Sequence, residues 1–340
     1  MRTIAARPDT REFLARYARL AGAAMLAAAI LAFSGTAYSQ AYPAAQIRLL
    51  SSTFPGGVID LLARIYAQKL QDRSGQTVVV ENTTVAVGTV GVAQLAKAPP
   101  DGYSLLVAHA ANMSILPILN PKLAYEPRKN FIPVALLGRA ANLLLVPKAS
   151  SINSVKQLID EAKGKPGTLT YASQGVGSTA HLATEQFKLA AGLDLIHVPF
   201  RGAAPAANAL VGAQISMMID TVPGSLAQVQ AGTVRALAVA SDQRAAVLPG
   251  VPTMAEAGVP GVQGGLWVGL FVPANTPQTI VTYLNRQAQE IFSLPDVRAQ
   301  LDPQGVILPK GSPEDFAAFL DAEEKRWREV ITKAKIVFPN

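Results

Sequence analysis

Three stretches of the chain place glycine or small hydroxyl residues between an apolar run and a helical pattern. The first is Ser51-Ser52-Thr53-Phe54-Pro55-Gly56-Gly57-Val58-Ile59-Asp60. The second is Ala172-Ser173-Gln174-Gly175-Val176-Gly177-Ser178-Thr179-Ala180-His181, and the third Val198-Pro199-Phe200-Arg201-Gly202-Ala203-Ala204-Pro205. Each opens a helix whose first N–H groups lack intrahelical partners and carry the positive end of the helix dipole. Glycine lets an anion's oxygens reach that backbone, so the chemistry on offer is capture of a carboxylate or phosphate. One such junction is ordinarily a turn. Three in one chain point to an anion site.

Other chemistries fit less well. Gly175, Gly177 and Ala180 match G-x-G-x-x-A, and Asp194 follows at about the spacing of a ribose-binding acid. That acid should end the next strand, whereas Asp194 begins it, and a whole lobe precedes the motif. A nicotinamide cofactor is therefore not expected. No G-x-S-x-G elbow, H-E-x-x-H helix or G-x-x-x-x-G-K-[ST] loop is present. A hydrolase using Ser173 or Ser178 with His181 lacks an oriented acid. His109 follows a strand and can face a cleft; His181 sits in a first helical turn and His197 inside a strand, and packing or hydrogen bonding is expected of each. Asp60 and Asp220 lie at junctions, Asp60 equally suited to capping its helix or to ligand contact. With no cysteine and three histidines, neither a disulfide nor a metal site is expected.

The elements that position these loops alternate. Half of the 340 residues are apolar and 16% charged, a composition that folds around a large core. Strands are expected at 46–51, 77–81, 104–108, 143–147, 168–172, 195–199, 215–220, 235–240 and 266–273. Helical patterns lie at 58–73, 87–96, 154–163, 179–191, 205–211 and 225–231. The alternation predicts parallel sheets covered by helices, with ligands at the carboxyl ends of the strands. After Pro273 the rhythm becomes helical, over 278–293, 296–301 and 313–335. No internal repeat is present.

The first 39 residues read as an address. Arg2, Arg7, Arg11, Arg16 and Arg19 precede an apolar run from Leu20 to Phe33, then the small-residue pattern Ala37-Tyr38-Ser39-Gln40-Ala41. This predicts a signal peptide over 1–41, cleaved after Ser39 or Ala41, and a periplasmic mature chain; the run is too short for a bilayer span. Beyond residue 39 the balance is 25 basic to 21 acidic residues, with the basic ones scattered singly. No nucleic-acid partner is expected.

At these residues the chain resembles the Bug receptors, the periplasmic solute-binding proteins of tripartite tricarboxylate transporters. The resemblance runs from about Tyr42 to Ile336. It is carried by Pro55-Gly56-Gly57-x-x-Asp60 with Ala63-Arg64, Val78-Val79-Val80-Glu81-Asn82, Pro100-Asp101-Gly102-Tyr103 and Tyr171-Ala172-Ser173. His197-Val198-Pro199-Phe200-Arg201-Gly202 and Val251-Pro252-Thr253-Met254-Ala255-Glu256-Ala257-Gly258 complete it.

The resemblance implies a type II periplasmic-binding-protein fold of the α/β class, two lobes joined by two hinge crossings near 144–146 and 266–268, with a ligand cleft between. Lobe one would comprise 42–144 and 267–340, and lobe two 145–266. It implies a monomeric receptor, not an enzyme and without a cofactor, that hands a small anionic carboxylate to membrane permease subunits; a periplasmic sensor read by a signalling partner is the alternative. Carried over by position, Thr53, Phe54, Gly56, Gly57, Val58 and Asp60 would line the cleft from lobe one, beside His109. Ser173, Gly177, Ser178, Thr179, the Ala203 and Ala204 backbone and Asp220 would line it from lobe two.

The chain also departs from the pattern. Val58-Ile59 stands where a small or hydroxyl pair is common, Thr83-Thr84-Val85-Ala86-Val87-Gly88 where a glycine-rich stretch is frequent, and Ala203 where serine is frequent. These replacements trade polar donors for apolar surface. They predict a carboxylate with a larger apolar body, an aromatic mono- or dicarboxylate such as terephthalate.

Overall fold

The computed structural model describes residues 42–84 and 88–337. The expected signal segment, the start of the helix expected at 87–96 and the middle of the Thr83–Gly88 stretch lie outside the described residues. Strands β1 (Ile47–Ser51), β2 (Val78–Asn82) and β3 (Ser104–His109) form a parallel set with β1 central. Both faces of β3 are covered, which is why its residues 105–108 read as a continuous apolar run rather than an alternating one. Helix α1 (Val58–Ser74) returns the chain from β1 to β2, burying Leu62, Tyr66 and Leu70 on one face. It ends at Gly75, whose left-handed φ of 70° lets its N–H donate to the Gln71 carbonyl. Helix α2 (Thr89–Leu95) makes the return from β2 to β3.

Strand β4 (Phe131–Pro147) spans two sheets. From Phe131 to Ala141 it lies antiparallel to β9 (Gly265–Pro273), which lies antiparallel to β3. From Asn142 onward it pairs antiparallel with β7 (Met217–Thr221) and β8 (Val234–Ala240). Beyond β7 follow β5 (Thr170–Ser173) and β6 (Ile196–Pro199), parallel to it. The sheets are thus mixed, not wholly parallel as the alternation predicted, because β4 and β9 run against their neighbours. The change of sheet falls at Ala141–Asn142, ahead of the expected 144–146. The return to the first sheet falls between Ala240 and Gly265, where the Gly264 N–H donates to the Ala240 carbonyl.

The first dozen residues of β4 were not expected to be strand. Pro133 and Gly138 are strand breakers by type, but register shifts at Pro133/Ala135 and Leu136/Gly138 absorb them as bulges. A bulge is where a strand tolerates proline.

In the second sheet, helices α3 (Val155–Gly164), α4 (Thr179–Ala191), α5 (Ala203–Val211) and α6 (Val222–Gln230) connect the strands. One core there gathers Leu144, Tyr171, Phe187 and Ile219; another gathers Leu143, Ala172, Leu210 and Met218. The C-terminal helices α7 (Gln278–Ile291), α8 (Pro295–Leu301) and α9 (Pro313–Ala334) return to the first sheet. Helix α9 starts at a capping box in which Ser312 and Asp315 exchange side-chain and backbone bonds. Its Phe316, Leu320, Trp327 and Val330 pack with Leu50, Leu106, Trp267 and Phe271, and Leu182 of α4 joins the same core. Glu323 of α9 is buried and accepts from the indole N–H of both Trp267 (3.0 Å) and Trp327 (3.1 Å). Its other oxygen pairs with Arg326, which also donates to the Gln263 carbonyl in the segment leading into β9.

Candidate functional site

The strand registers bring the expected loops to one junction. His109, the last residue of β3, stands opposite Val268, and Val268 opposite Gly138 of β4. Thr221, the last residue of β7, stands opposite Asn142 of the same strand. Because β3 runs along β4 and β7 runs against it, the two carboxyl ends point toward each other. Four residues of strand separate them, roughly 13 Å at the usual rise. The β1 and β5 ends lie beside β3 and β7, so the loops 52–57 and 174–178 flank that point.

The first loop is braced from within. Asp60 is buried and accepts from the Gly56 N–H at 3.0 Å, Arg64 Nε at 2.8 Å and Asn82 Nδ2 at 2.7 Å. The same Asn82 amide nitrogen reaches the Thr53 carbonyl, and Arg64 also donates to Asn82 Oδ1. Burial pushes the Asp60 carboxyl up, but these donors outweigh it and hold it below its ordinary value. Asp60 thus shapes the loop, and the Gly56 N–H expected for a ligand is already used. Among the described residues the N–H groups of Gly57, Val58 and Ile59 have no acceptor. Phe54 is 66% exposed, and Val58 and Ile59 are half-buried rather than core.

His109 is half-buried at the base of this loop. Desolvation drops its pKa to about 4 against an opposing hydrogen bond with the Ser52 backbone. The buried Ser52 hydroxyl contacts the Val107 carbonyl and Asn112 Oδ1. Gly88, at φ 81°, sits where a Cβ would come within 2.3 Å of the Ser52 carbonyl oxygen, so only glycine fits beside this loop at that position.

The second loop is braced by side chains beneath it. Ser173 is fully buried, its hydroxyl 2.6 Å from His197 Nε2 and within 3.2 Å of the Gly175 N–H and carbonyl. The Gly177 N–H donates to His181 Nδ1 at 3.3 Å, and Ser178 caps α4 by accepting from the His181 N–H. Asp220 is buried with both oxygens occupied, by Gln174 Nε2 (2.9 Å) and the Ser225 hydroxyl (3.0 Å). Burial pushes its carboxyl up, and these donors and the Thr221 N–H only partly oppose that. Ser173, Gly177 and Asp220 therefore make intramolecular bonds. Thr179, part-exposed in the first turn of α4, has no acceptor for its N–H among the described residues. Ala203 and Ala204 are exposed at the start of α5, behind Gly202 at φ 109°.

The hydrolase alternative finds no support in this geometry. The His181 ring meets a backbone N–H rather than a serine hydroxyl, and the hydroxyl-to-ring pair Ser173–His197 is sealed from solvent on the serine side. The sequence reading missed Asn82, Asn112, Gln174 and Ser225. Asn82 ends a strand and Gln174 sits in the glycine-rich loop, a positional signal available in advance; Asn112 and Ser225 carried none. Among the described residues no group of His, Asp and Glu is placed to hold a metal.

The chain is similar to known proteins along most of its length. The model of the tripartite tricarboxylate transporter family receptor matches residues 62–336. Protein BugT of Bordetella pertussis is 34% identical over 298 residues, 87% of this chain and 91% of its own. The structure of R. palustris Rpa4515 with adipate is 34% identical at a TM-score of 0.81, covering 87% of this chain and 99% of that one. MatC (Rpa3494) from Rhodopseudomonas palustris with bound malate is 33% identical at a TM-score of 0.77, covering 85% and 100%.

Proposed function

Since the chain belongs to the tripartite tricarboxylate transporter receptor family, and is thus a solute-binding receptor with the two α/β lobes of the type II periplasmic-binding-protein fold, we propose that it captures a dicarboxylate with an apolar body between those lobes. Lobe one, on this reading, holds the first sheet and the C-terminal helices; lobe two holds the second sheet, between the sheet changes at 141–142 and 240–265. The bound form is delivered to membrane permease subunits from the periplasm, after export through the 1–41 signal segment.

The observation that carries the proposal is the pair of helix N-termini flanking the junction. The Gly57, Val58 and Ile59 N–H groups of α1 take one carboxylate, and the Thr179 N–H of α4 with the exposed Ala203–Ala204 backbone takes the other. A hydrogen bond to a charged acceptor contributes about 1.5–3 kcal/mol, so a few of them hold a carboxylate without a cation. Phe54 and Val58 supply the apolar wall. Covering about 100 Å² of such surface adds about 2.5 kcal/mol, which a compact hydroxylated acid does not recover. Contacts made to both lobes at once favour the closed form over the open one. Adipate in one relative has this apolar body between two carboxylates; malate in the other does not.

Calorimetric titration with adipate, terephthalate, benzoate, malate and citrate tests the proposal. Adipate or terephthalate is expected to bind, and Phe54→Ala to weaken it about tenfold, the equivalent of roughly 1.4 kcal/mol. Binding of citrate or malate alone overturns the apolar body; binding of none of the five overturns the carboxylate reading.

A further inference from the structure

Beneath the 173–178 loop lies a stack of three rings on three elements. His197 of β6 lies 4.7 Å from the Tyr171 ring of β5 at 10°, and His181 of α4 lies 4.2 Å from His197 at 6°. Such close, parallel imidazoles are poorly placed to be charged together. The Tyr171 hydroxyl donates to Glu185, which pairs with Lys188 at 2.8 Å. Those two residues of α4 are the charged groups that act on both imidazoles. Among the described residues no acid or base from β7, β9 or α9, which also pack on α4, does so.

Each imidazole holds one point of the loop. His197 meets the Ser173 hydroxyl at the loop's entry, and His181 Nδ1 faces the Gly177 N–H at its exit. An imidazole nitrogen accepts a hydrogen bond only when it carries no proton, so this contact selects the neutral tautomer with the proton on Nε2. Gly177, buried at φ 81°, is the residue whose conformation sets the direction in which α4 begins.

We infer that His181 is a positioning residue for the ligand loop: its unprotonated Nδ1, seated on His197, anchors the Gly177 N–H and so fixes the turn from which the first N–H of α4 is presented. The loop is thereby proton-sensitive, because protonated His181 turns the acceptor into a donor facing another donor. Desolvation keeps both rings neutral at ordinary pH, with the His181 pKa down at about 4. The consequence for binding rests on the function proposed above; the anchoring itself does not.

The test separates the two. In the ligand-free full chain, the Gly177 amide is followed by NMR from pH 7 to 3.5 in wild type, His181→Asn and His181→Phe. In wild type the Gly177 amide is expected to be protected from exchange and to titrate with a midpoint near 4, together with the His181 ring. Asparagine places an acceptor near the Nδ1 position, so protection is retained at pH 7 and the titration disappears; phenylalanine keeps the ring but loses at least tenfold in protection. Adipate titration is expected to follow, within threefold of wild type for the asparagine variant and at least tenfold weaker for the phenylalanine one. A Gly177 amide indifferent to the His181 titration, or fully protected in His181→Phe, overturns the anchoring. If the phenylalanine variant does not fold, the wild-type and asparagine titrations decide. If adipate fails to bind wild type while the amide titrates as expected, the proposed guest falls and the anchoring stands.

Discussion

Replacing Glu323 by leucine is the sharpest probe of how the C-terminal helices are tied to the first sheet. The carboxylate is 8% exposed and serves three donors: the indoles of Trp267 and Trp327, themselves almost completely buried, and Arg326. Leucine fills much of the space but offers no acceptor. Each indole N–H left buried and unpaired costs about 1–3 kcal/mol, so the pair costs about 2–6 kcal/mol. Arg326 contributes little to the difference, because it retains the Gln263 carbonyl and its stacking over Trp327 at 4.1 Å. Glu323→Gln keeps one acceptor oxygen for the indoles and loses the charge, so a loss of about 1 kcal/mol is expected. Urea unfolding at pH 7 measures both. Trp267 and Trp327 are the chain's two tryptophans, so intrinsic tryptophan fluorescence reports on this site directly. A Glu323→Leu variant within about 0.5 kcal/mol of wild type, roughly the effect of an ordinary surface change, refutes the view that the carboxylate holds α9 to β9.

Stability should fall with acid over a defined window. His109 and His181, each with a folded pKa of about 4, refuse protons that the unfolded chain takes up below about 6.5, so stability declines as pH drops from about 6.5 toward 4. Linkage puts the loss at about 2 kcal/mol per histidine by pH 5. Asp60, held below its ordinary value, adds a further loss in more acid solution, whereas the raised Asp220 carboxyl opposes the trend because its protonation is eased in the folded state. Urea midpoints at pH 7, 6 and 5 check this, and equal midpoints would contradict the buried neutral histidines. Asp60→Ala should cost about 2 kcal/mol, moderated because Arg64 is half exposed and regains water; the same variant should weaken adipate by freeing the loop at Gly56, with calorimetry as the measure.

Much of the architecture was legible because burial leaves a mark on composition. Strands such as Ser104–His109 and Gly265–Pro273 have interiors apolar on both faces, and α9 announces itself through Ser312, Pro313 and Asp315. The front of β4 was illegible for the converse reason: Pro133 and Gly138 are breakers in isolation, and only their neighbours in the sheet turn them into bulges. The reversal of β9 against β3 and β4, and of β4 against β7 and β8, was equally hidden, since a strand's direction leaves no trace in its own residues.

The site divides along the same line. From the chain alone came the loops 53–60 and 173–179, because glycine, proline and hydroxyl residues ahead of a helix carry a local meaning that needs no partner. Folding settled which of their donors remain free. Asp60 was drawn to Arg64 and Asn82, Gly177 to His181, Ser173 to His197 and Asp220 to Gln174 and Ser225. Such bonds join residues brought together by strand register or helix packing, and a polar group's engagement depends on which partner comes within about 3 Å of it. Residue type sets what a group can donate or accept; position in space sets what is left over for a guest.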